Sequence, residues 1–312
     1  EASRVSALIA EAAKEGSLNW VDSVPAPATA TALTDAFKKA YNLPNITIKY
    51  TRSSTAAIGA TLQQQVQAGK VDTDIFGVGD PILFPELKKA NALENYSSPE
   101  LSAYAKLKAD FPNDDGYWVT PDAYSYNPVA NVKLYSTPIT SWQDLLSPAL
   151  AGKLNVPDVP SYPSQEYWYL GLKTKMPDSF FTQLAATHPG TSNGSSILEA
   201  TNLAQGKVAV TIMPGFRASQ AAKDSGATLQ VYYPTEGSVY FGQTYALMAN
   251  SPHPALAKLF EDFLLSAAGQ TQYVSLEGLN STRDDVPMPA NFAQYSRAIS
   301  DVSVIQLPWD SI

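Results

Sequence analysis

Over residues 2 to 91, short apolar runs alternate with amphipathic segments, and this alternation restricts the fold more than any other feature of the chain. Residues 2–15 (ASRVSALIAEAAKE) place Val5, Leu8, Ile9 and Ala12 on one stripe, and Gly16 follows as a helix-ending residue. LNWVDS (18–23) is strand-like and runs into the Pro-bearing VPAPAT. Leu33, Ala36, Phe37 and Ala40 then mark a second helix ending near Tyr41. NITIKYT (45–51) alternates as a strand, and SSTAAIGATLQQQVQAG (53–69) spaces Ile58, Leu62 and Val66 four apart before Gly69. TDIFGVGD (73–80) reads as a short apolar strand, followed by a helical PILFPELKKAN. Strands separated by helices of roughly 10 to 15 residues predict a mainly parallel sheet covered on both faces.

The middle of the chain has a different grain. GYWVTPDAYSYNPVAN (116–131) is rich in aromatics and turn formers, and SWQDLLSPALAGKLNVPD (141–158) predicts a short helix, a loop and a strand. Helices are expected from Ser164, in SFFTQLAAT and in SSILEATNLAQG, and KVAVTIMPG (207–215) predicts a strand that breaks at Pro214. VYYPTEGSVYFGQTYALMAN (231–250) holds two strand-like runs, and 254–270 is an amphipathic helix through Leu256, Leu259, Phe260, Phe263 and Leu264. The 312 residues are about twice a typical domain of ~150, which predicts two α/β lobes, each with its own core. The expected division is 1–122 with a returning segment 243–290, then 123–242, with 291–312 as an irregular tail.

Composition removes whole classes of function. With 21 Lys and Arg against 29 Asp and Glu, the formal charge is −8, the opposite of what phosphate neutralisation by a nucleic-acid binder requires. Cysteine is absent and His188 and His253 are the only imidazoles, which excludes thiol catalysis, disulfides and zinc or iron–sulfur sites. No cofactor and no resident metal are expected. No apolar run approaches the ~18 residues of a membrane span, and a start at Glu1 rather than Met is what a processed or trimmed chain would show.

Few motifs carry chemistry. GTSNG (190–194) fits the nucleophile-elbow pattern and nominates Ser192, but the elbow needs a preceding strand and SFFTQLAATHP is helical. His188 borders that loop and His253 lies between two prolines, and neither has a plausible Ser–His–Asp assembly visible in the sequence. Asp114 with Asp115 and Asp284 with Asp285 stand in loop-like sequence and read as solvated turns. More informative are three helix beginnings after strands: Asp22 and Ser23, then Ser53, Ser54 and Thr55, then Gly79 and Asp80. In a parallel sheet these fall on the carboxyl edge, where free N–H groups and helix dipoles face a ligand. Ordinary N-capping is the alternative use of the same residues. Arg52 and Arg217 each adjoin a helix start and can fork onto a carboxylate or phosphate.

The succession EAAKEGSLNWVDS, AFKKAYNLPNITIKYTRSSTAAIGATLQQQVQAGKVDTDIFGVGD and LKKANALENYSSPE, continuing through SWQDLLSPALAGKLNVPD, QGKVAV and HPALAKLFEDFLLSAAGQ, resembles the bacterial ABC-transporter substrate-binding proteins of the ferric-iron-type group. The resemblance covers nearly the whole chain. It implies a two-lobe type II periplasmic-binding-protein fold with a mixed sheet flanked by helices in each lobe. It also implies a ligand held between the lobes on hinge closure, delivery to an inner-membrane permease, a periplasmic or cell-surface location, and a monomer without enzyme activity. It assigns ligand contacts to Ser23, Ser54, Thr55, Gly79 and Asp80 in the first lobe, and to Tyr126, Ser164, Gly215, Phe216 and Arg217 in the second.

One departure bears on the ligand. Ferric members carry two adjacent tyrosines after the strand equivalent to KVAVTI, where this chain has MPGFR. Tyr232 and Tyr233 fall one strand later and read as sheet residues. Helix starts and arginines favour a small organic anion, a carboxylate, phosphonate or phosphate ester. The alternatives are ferric iron, an organic cation of thiamine or polyamine type held by Asp22, Asp80 and Asp122 with aromatic walls, or, in a different class, a secreted hydrolase using Ser192. A sensor feeding a receptor instead of a permease shares the same sequence.

Overall fold

Gly16, at φ 72°, ends α1 (Ala2–Glu15) and turns the chain into β1 (Ser17–Asp22), so the first helix and strand meet where the sequence placed them. The computed structural model describes residues 2–80, 82–104, 111, 113–114, 116–159, 163–192 and 196–307. After β1 come α2 (Pro27–Tyr41), β2 (Thr47–Arg52), α3 (Thr55–Gln67), β3 (Ile75–Val78), α4 (Leu83–Lys89) and a long β4 (Val119–Asn131). β5 (Leu154–Val156), α5 (Pro163–Lys173), α6 (Asp178–Ala186), β6 (Gly190–Thr191), α7 (Ser196–Ala204), β7 (Val210–Pro214) and α8 (Gly215–Ser225) follow. The chain continues with β8 (Leu229–Val231), β9 (Ser238–Leu247), α9 (Pro254–Leu265), α10 (Ala267–Glu277), β10 (Asn280–Ser281) and β11 (Val304–Ile305).

The chain divides into two compact units. Unit 1 is Glu1–Ala123 with Gly242–Glu277 and Ser281–Pro287, and unit 2 is Tyr124–Phe241 with Gly278–Asn280 and Met288–Ile312. β4 and β9 therefore each contribute residues to both units.

In unit 1, β1 lies between β2 and β3, parallel to both, and β3 pairs antiparallel with Thr244–Leu247 of β9. Period-two alternation sorts β1 by face: Leu18, Trp20 and Asp22 are buried while Ser17, Asn19 and Val21 are half-buried. Trp20 packs edge-on against Phe260 of α9 at 5.1 Å, and Phe37 of α2 meets the same ring at 5.1 Å and 87°. Val21 packs against the other cluster, built on Ile58, Leu62, Phe76, Phe84 and Met248. Helices thus cover both faces, and truncating a buried aromatic such as Phe37 or Phe260 costs about 3–5 kcal/mol.

Unit 2 repeats the layout. β7 pairs antiparallel with Tyr126–Ala130 of β4 and parallel with β5, which pairs parallel with β6, and β8 pairs antiparallel with Val129–Asn131. Leu203 of α7 and Ala218 of α8 pack with Val129, Met213 and Val231.

Three expectations differ from what forms. Residues 119–131, read as turn-rich, make one fully buried strand. Pro121 and Pro128 fit because their carbonyls accept, from Thr282 N at 2.8 Å and Tyr232 N at 2.9 Å. The single helix of 254–270 is two helices, since Ser266 takes extended dihedrals and its hydroxyl caps Gly269 N at 3.1 Å. The C-terminal stretch holds two short 3₁₀ turns, at 290–292 and 299–301, and then β11, which pairs parallel with Ser238 and Val239.

Candidate functional site

The parallel register sets the carboxyl ends of three strands side by side in unit 1, with Asp22 opposite Arg52 on one flank and Gly77 on the other. Backbone bonds Ser53 N→Asp22 O (3.1 Å) and Ser23 N→Gly77 O (3.2 Å) hold the outgoing loops together. The structure therefore brings Asp22, Ser23, Arg52, Ser53, Ser54, Thr55, Gly79 and Asp80 to one sheet edge. Their roles there are unequal. Ser54 is the N-cap of α3, its hydroxyl accepting from Ala57 N at 3.3 Å, and Thr55 is the first helical residue. Arg52 is exposed, Gly79 is buried, and Asp80 accepts from Ile82 N at 3.2 Å.

Asp22 turns inward. Its carboxylate is fully buried and accepts from Trp20 Nε1 (3.1 Å), Val24 N (3.0 Å) and Gln243 Nε2 (2.7 Å). Gln243 Nε2 also reaches Ser23 Oγ at 3.2 Å. Gly77 makes room for this arrangement, because a Cβ there would stand 2.6 Å from Asp22 Oδ2 and 2.6 Å from the Tyr245 ring. Burial pushes the Asp22 carboxyl up to about 7, against the donors that favour its ionised form.

Asp122, on the unit 1 part of β4, is also fully buried, and neither of its oxygens has a hydrogen-bond partner among the described residues. Burial, then the charges of Asp22 and Glu277, hold its carboxyl well above the usual range. Tyr245 and Tyr273, with hydroxyls 3.4 Å apart, share this buried acidic region, and Glu277 accepts from Ala26 N at 2.7 Å. The sequence reading named neither Gln243 nor Glu277. The signal for Gln243 was present, as the one amide inside the apolar run VYFGQTYAL.

Unit 2 gathers a different set. Tyr126 pairs with Pro214, the last residue of β7, and α8 begins at once with Gly215, Phe216 and Arg217, all buried. A Cβ at position 215 would collide with the Tyr295 carbonyl, so glycine fits the close approach. Its N-cap residue, Pro214, makes no side-chain bond to the first N–H groups. Phe216 meets Tyr124 edge-on at 5.5 Å, Tyr126 meets Phe241 edge-on at 5.1 Å, and the Arg217 guanidinium lies 4.5 Å from the Phe216 ring centre. Ser164 stands in the first turn of α5 with its side chain outside the described residues.

Ser192 donates to Gln165 Oε1 at 3.1 Å and its N–H bonds Val156 O at 2.8 Å, so an amide, with no imidazole bonded to it, holds its hydroxyl. Tyr232 and Tyr233 directly follow β8, and the Tyr233 hydroxyl accepts from Arg297 N at 2.9 Å. Among the described residues no three His, Asp or Glu side chains converge on a metal-sized position. None of the helices described is long and apolar enough to cross a membrane.

Two α/β units, each ending parallel strands in helix starts that carry hydroxyl, amide or guanidinium groups, define a protein built to hold a small solute. Residues 32–298 match the bacterial extracellular solute-binding proteins, and the chain belongs to that family. Such proteins are the solute-binding components of ABC transporters and work in the periplasm or at the cell surface. No curated protein sequence matches the chain. Among solved structures it is similar to the periplasmic binding protein AfuA from Actinobacillus pleuropneumoniae with fructose-6-phosphate bound. That likeness has 18% identity, coverage of 94% of this chain and 92% of AfuA, and a TM-score of 0.78. It is similar to the periplasmic binding protein P5PA at 20% identity, covering 95% and 94%, with a TM-score of 0.76. Iron-bound HitA from Pseudomonas aeruginosa aligns at 16% identity over 91% and 92%, with a TM-score of 0.73. The two-lobe periplasmic-binding-protein architecture is thereby shared.

Proposed function

We propose that this protein captures a small organic anion, a carboxylate, phosphonate or phosphate ester, and delivers it as a monomer to an inner-membrane ABC permease without chemically altering it. The observation that carries the reading is the start of α8: a helix N-terminus whose N-cap is Pro214, with Arg217 in its first turn, 8% exposed. Helix-start N–H groups and a guanidinium fork both complement an anion. AfuA, with its bound sugar phosphate, supports the reading by likeness of fold. HitA binds iron, but here Tyr233 already accepts a backbone hydrogen bond and the sequence after β7 has Phe216 and Arg217 in place of paired tyrosines.

A second reading rests on Asp122. A buried carboxylate without donors among the described residues, beside Asp22 and Glu277, favours a solute that also carries an ammonium or amidinium group.

The test is native mass spectrometry of the gently purified protein before and after denaturation, with iron analysis of the same sample, followed by calorimetric titration of the identified solute. A non-covalent organic anion without iron is expected. Arg217→Gln is then expected to weaken binding roughly tenfold or more, as loss of a charge-assisted hydrogen bond worth about 1.5–3 kcal/mol predicts. Stoichiometric iron would overturn the anion reading, and a purely cationic solute would replace it with the second one.

A further inference from the structure

At the opposite end of β1 from Asp22, three side chains distant in sequence form a relay. Ser17 Oγ lies 3.0 Å from His253 Nε2, and His253 Nδ1 lies 2.9 Å from Asp74 Oδ2. Asp74 is fully buried and is fixed further by His253 N (3.0 Å) and Asn19 N (2.6 Å). The imidazole is 17% exposed and Ser17 is half-buried. A carboxylate oxygen only accepts, so Nδ1 carries the ring hydrogen, and the lone pair of Nε2 in the neutral ring faces the Ser17 hydroxyl. Nucleophile, base and orienting acid are thus in hydrogen-bond sequence. A groove of about 370 Å³ between α1 and α9, with Ala7, Leu8, Pro254 and Ala255 as its apolar lining, begins at the residue after His253.

We infer that Ser17, His253 and Asp74 form an acyl-accepting centre in unit 1, separate from the solute site, that reacts with small activated esters. In the step, the Oγ–acyl carbon bond forms as the Ser17 proton passes to His253 Nε2. The bond from the acyl carbon to the leaving oxygen breaks, and the leaving group departs as a phenol with that proton. Asp74 faces the transient imidazolium. The restriction to activated esters has a structural cause: Glu15 occupies the N–H groups of Ala255 (2.9 Å) and Leu256 (2.8 Å) at the start of α9. That helix start therefore cannot stabilise an oxyanion, a contribution worth roughly 10²–10³ in rate.

The experiment is incubation of the full chain with p-nitrophenyl acetate, followed by peptide mapping of acetylated serines in the wild type, Ser17→Ala and His253→Gln, with melting curves for each. Ser17 is expected to acquire the acetyl group, roughly a hundredfold more slowly in His253→Gln, the scale of a lost general base. Within the wild type, Ser17 is expected to react faster than the exposed Ser54, a comparison that holds even if His253→Gln unfolds. Acetylation of Ser17 no faster than Ser54, or at an unchanged rate in folded His253→Gln, would overturn the proposal and leave the three residues as a tie between β1, β3 and α9.

Discussion

The two units solve the same junction, from a strand into the helix that follows, in opposite ways. In unit 1 the loop leaving β1 is closed by the protein's own carboxylates: Asp22 accepts from Val24 N and Glu277 from Ala26 N, just ahead of α2. In unit 2, β7 runs straight into α8, and the N-cap residue, Pro214, makes no side-chain bond to the helix start. The first arrangement puts negative charge in the interior, and the second sets a helix start beside the buried guanidinium of Arg217. A helix start satisfied internally contributes to stability, whereas one left uncapped sacrifices some stability to keep donors for a ligand.

The largest effect that sharpens this contrast is expected from Asp22→Ala. It strands three buried donors, on Trp20, Val24 and Gln243, and buried donors each cost about 1–3 kcal/mol when unpaired. A loss of about 3 kcal/mol or more in urea unfolding is expected, and a loss below about 1 kcal/mol would mean that these donors find other partners in the fold.

Next in size is a dependence on pH. With its carboxyl raised to about 7 from 3.8, native Asp22 binds a proton that the unfolded chain has released between those values. Stability attributable to Asp22 is therefore greatest below about pH 4 and is lost as pH rises through 7, by at most about 1.4 kcal/mol per pH unit. Asp122, also raised, acts in the same direction. Asp22→Asn removes one titration, so unfolding measured from pH 4 to 8 is expected to show a shallower decline than the wild type. An unchanged slope would mean that Asp22 stays ionised in the fold.

How much of this was legible follows from the range of the interactions. α1, α3 and β1 were readable because Gly16, Gly69 and the apolar spacing of Ile58 and Leu62 act within a few residues. The placing of Asp22, Ser54 and Gly79 near strand ends was readable because β–α alternation dictates a parallel sheet whose strands end on one side. β4 was hidden, since Pro121 and Pro128 signal turns locally and are tolerated only where Thr282 and Tyr232 donate to their carbonyls. The break at Ser266 was hidden by an unbroken apolar stripe on both sides. Asp22 with Gln243, 221 residues apart, and Ser17 with His253, 236 apart, carry no local pattern at all. His253 read alone was only a residue between two prolines.

The smallest effect concerns α3, whose start on the unit 1 edge is capped by its own N-cap side chain. Ser54 Oγ accepts from Ala57 N at 3.3 Å, a long bond at an exposed position. Ser54→Ala is therefore expected to cost about 1 kcal/mol, the ordinary value for a lost N-cap, in an unfolding titration. If the hydroxyl also contacts solute, the same substitution weakens binding beyond what stability explains, whereas Ser54→Asp keeps the cap and sets a negative charge against an anion. Full affinity in both variants would place Ser54 with the internally satisfied junctions and leave α8 as the helix start available to a solute.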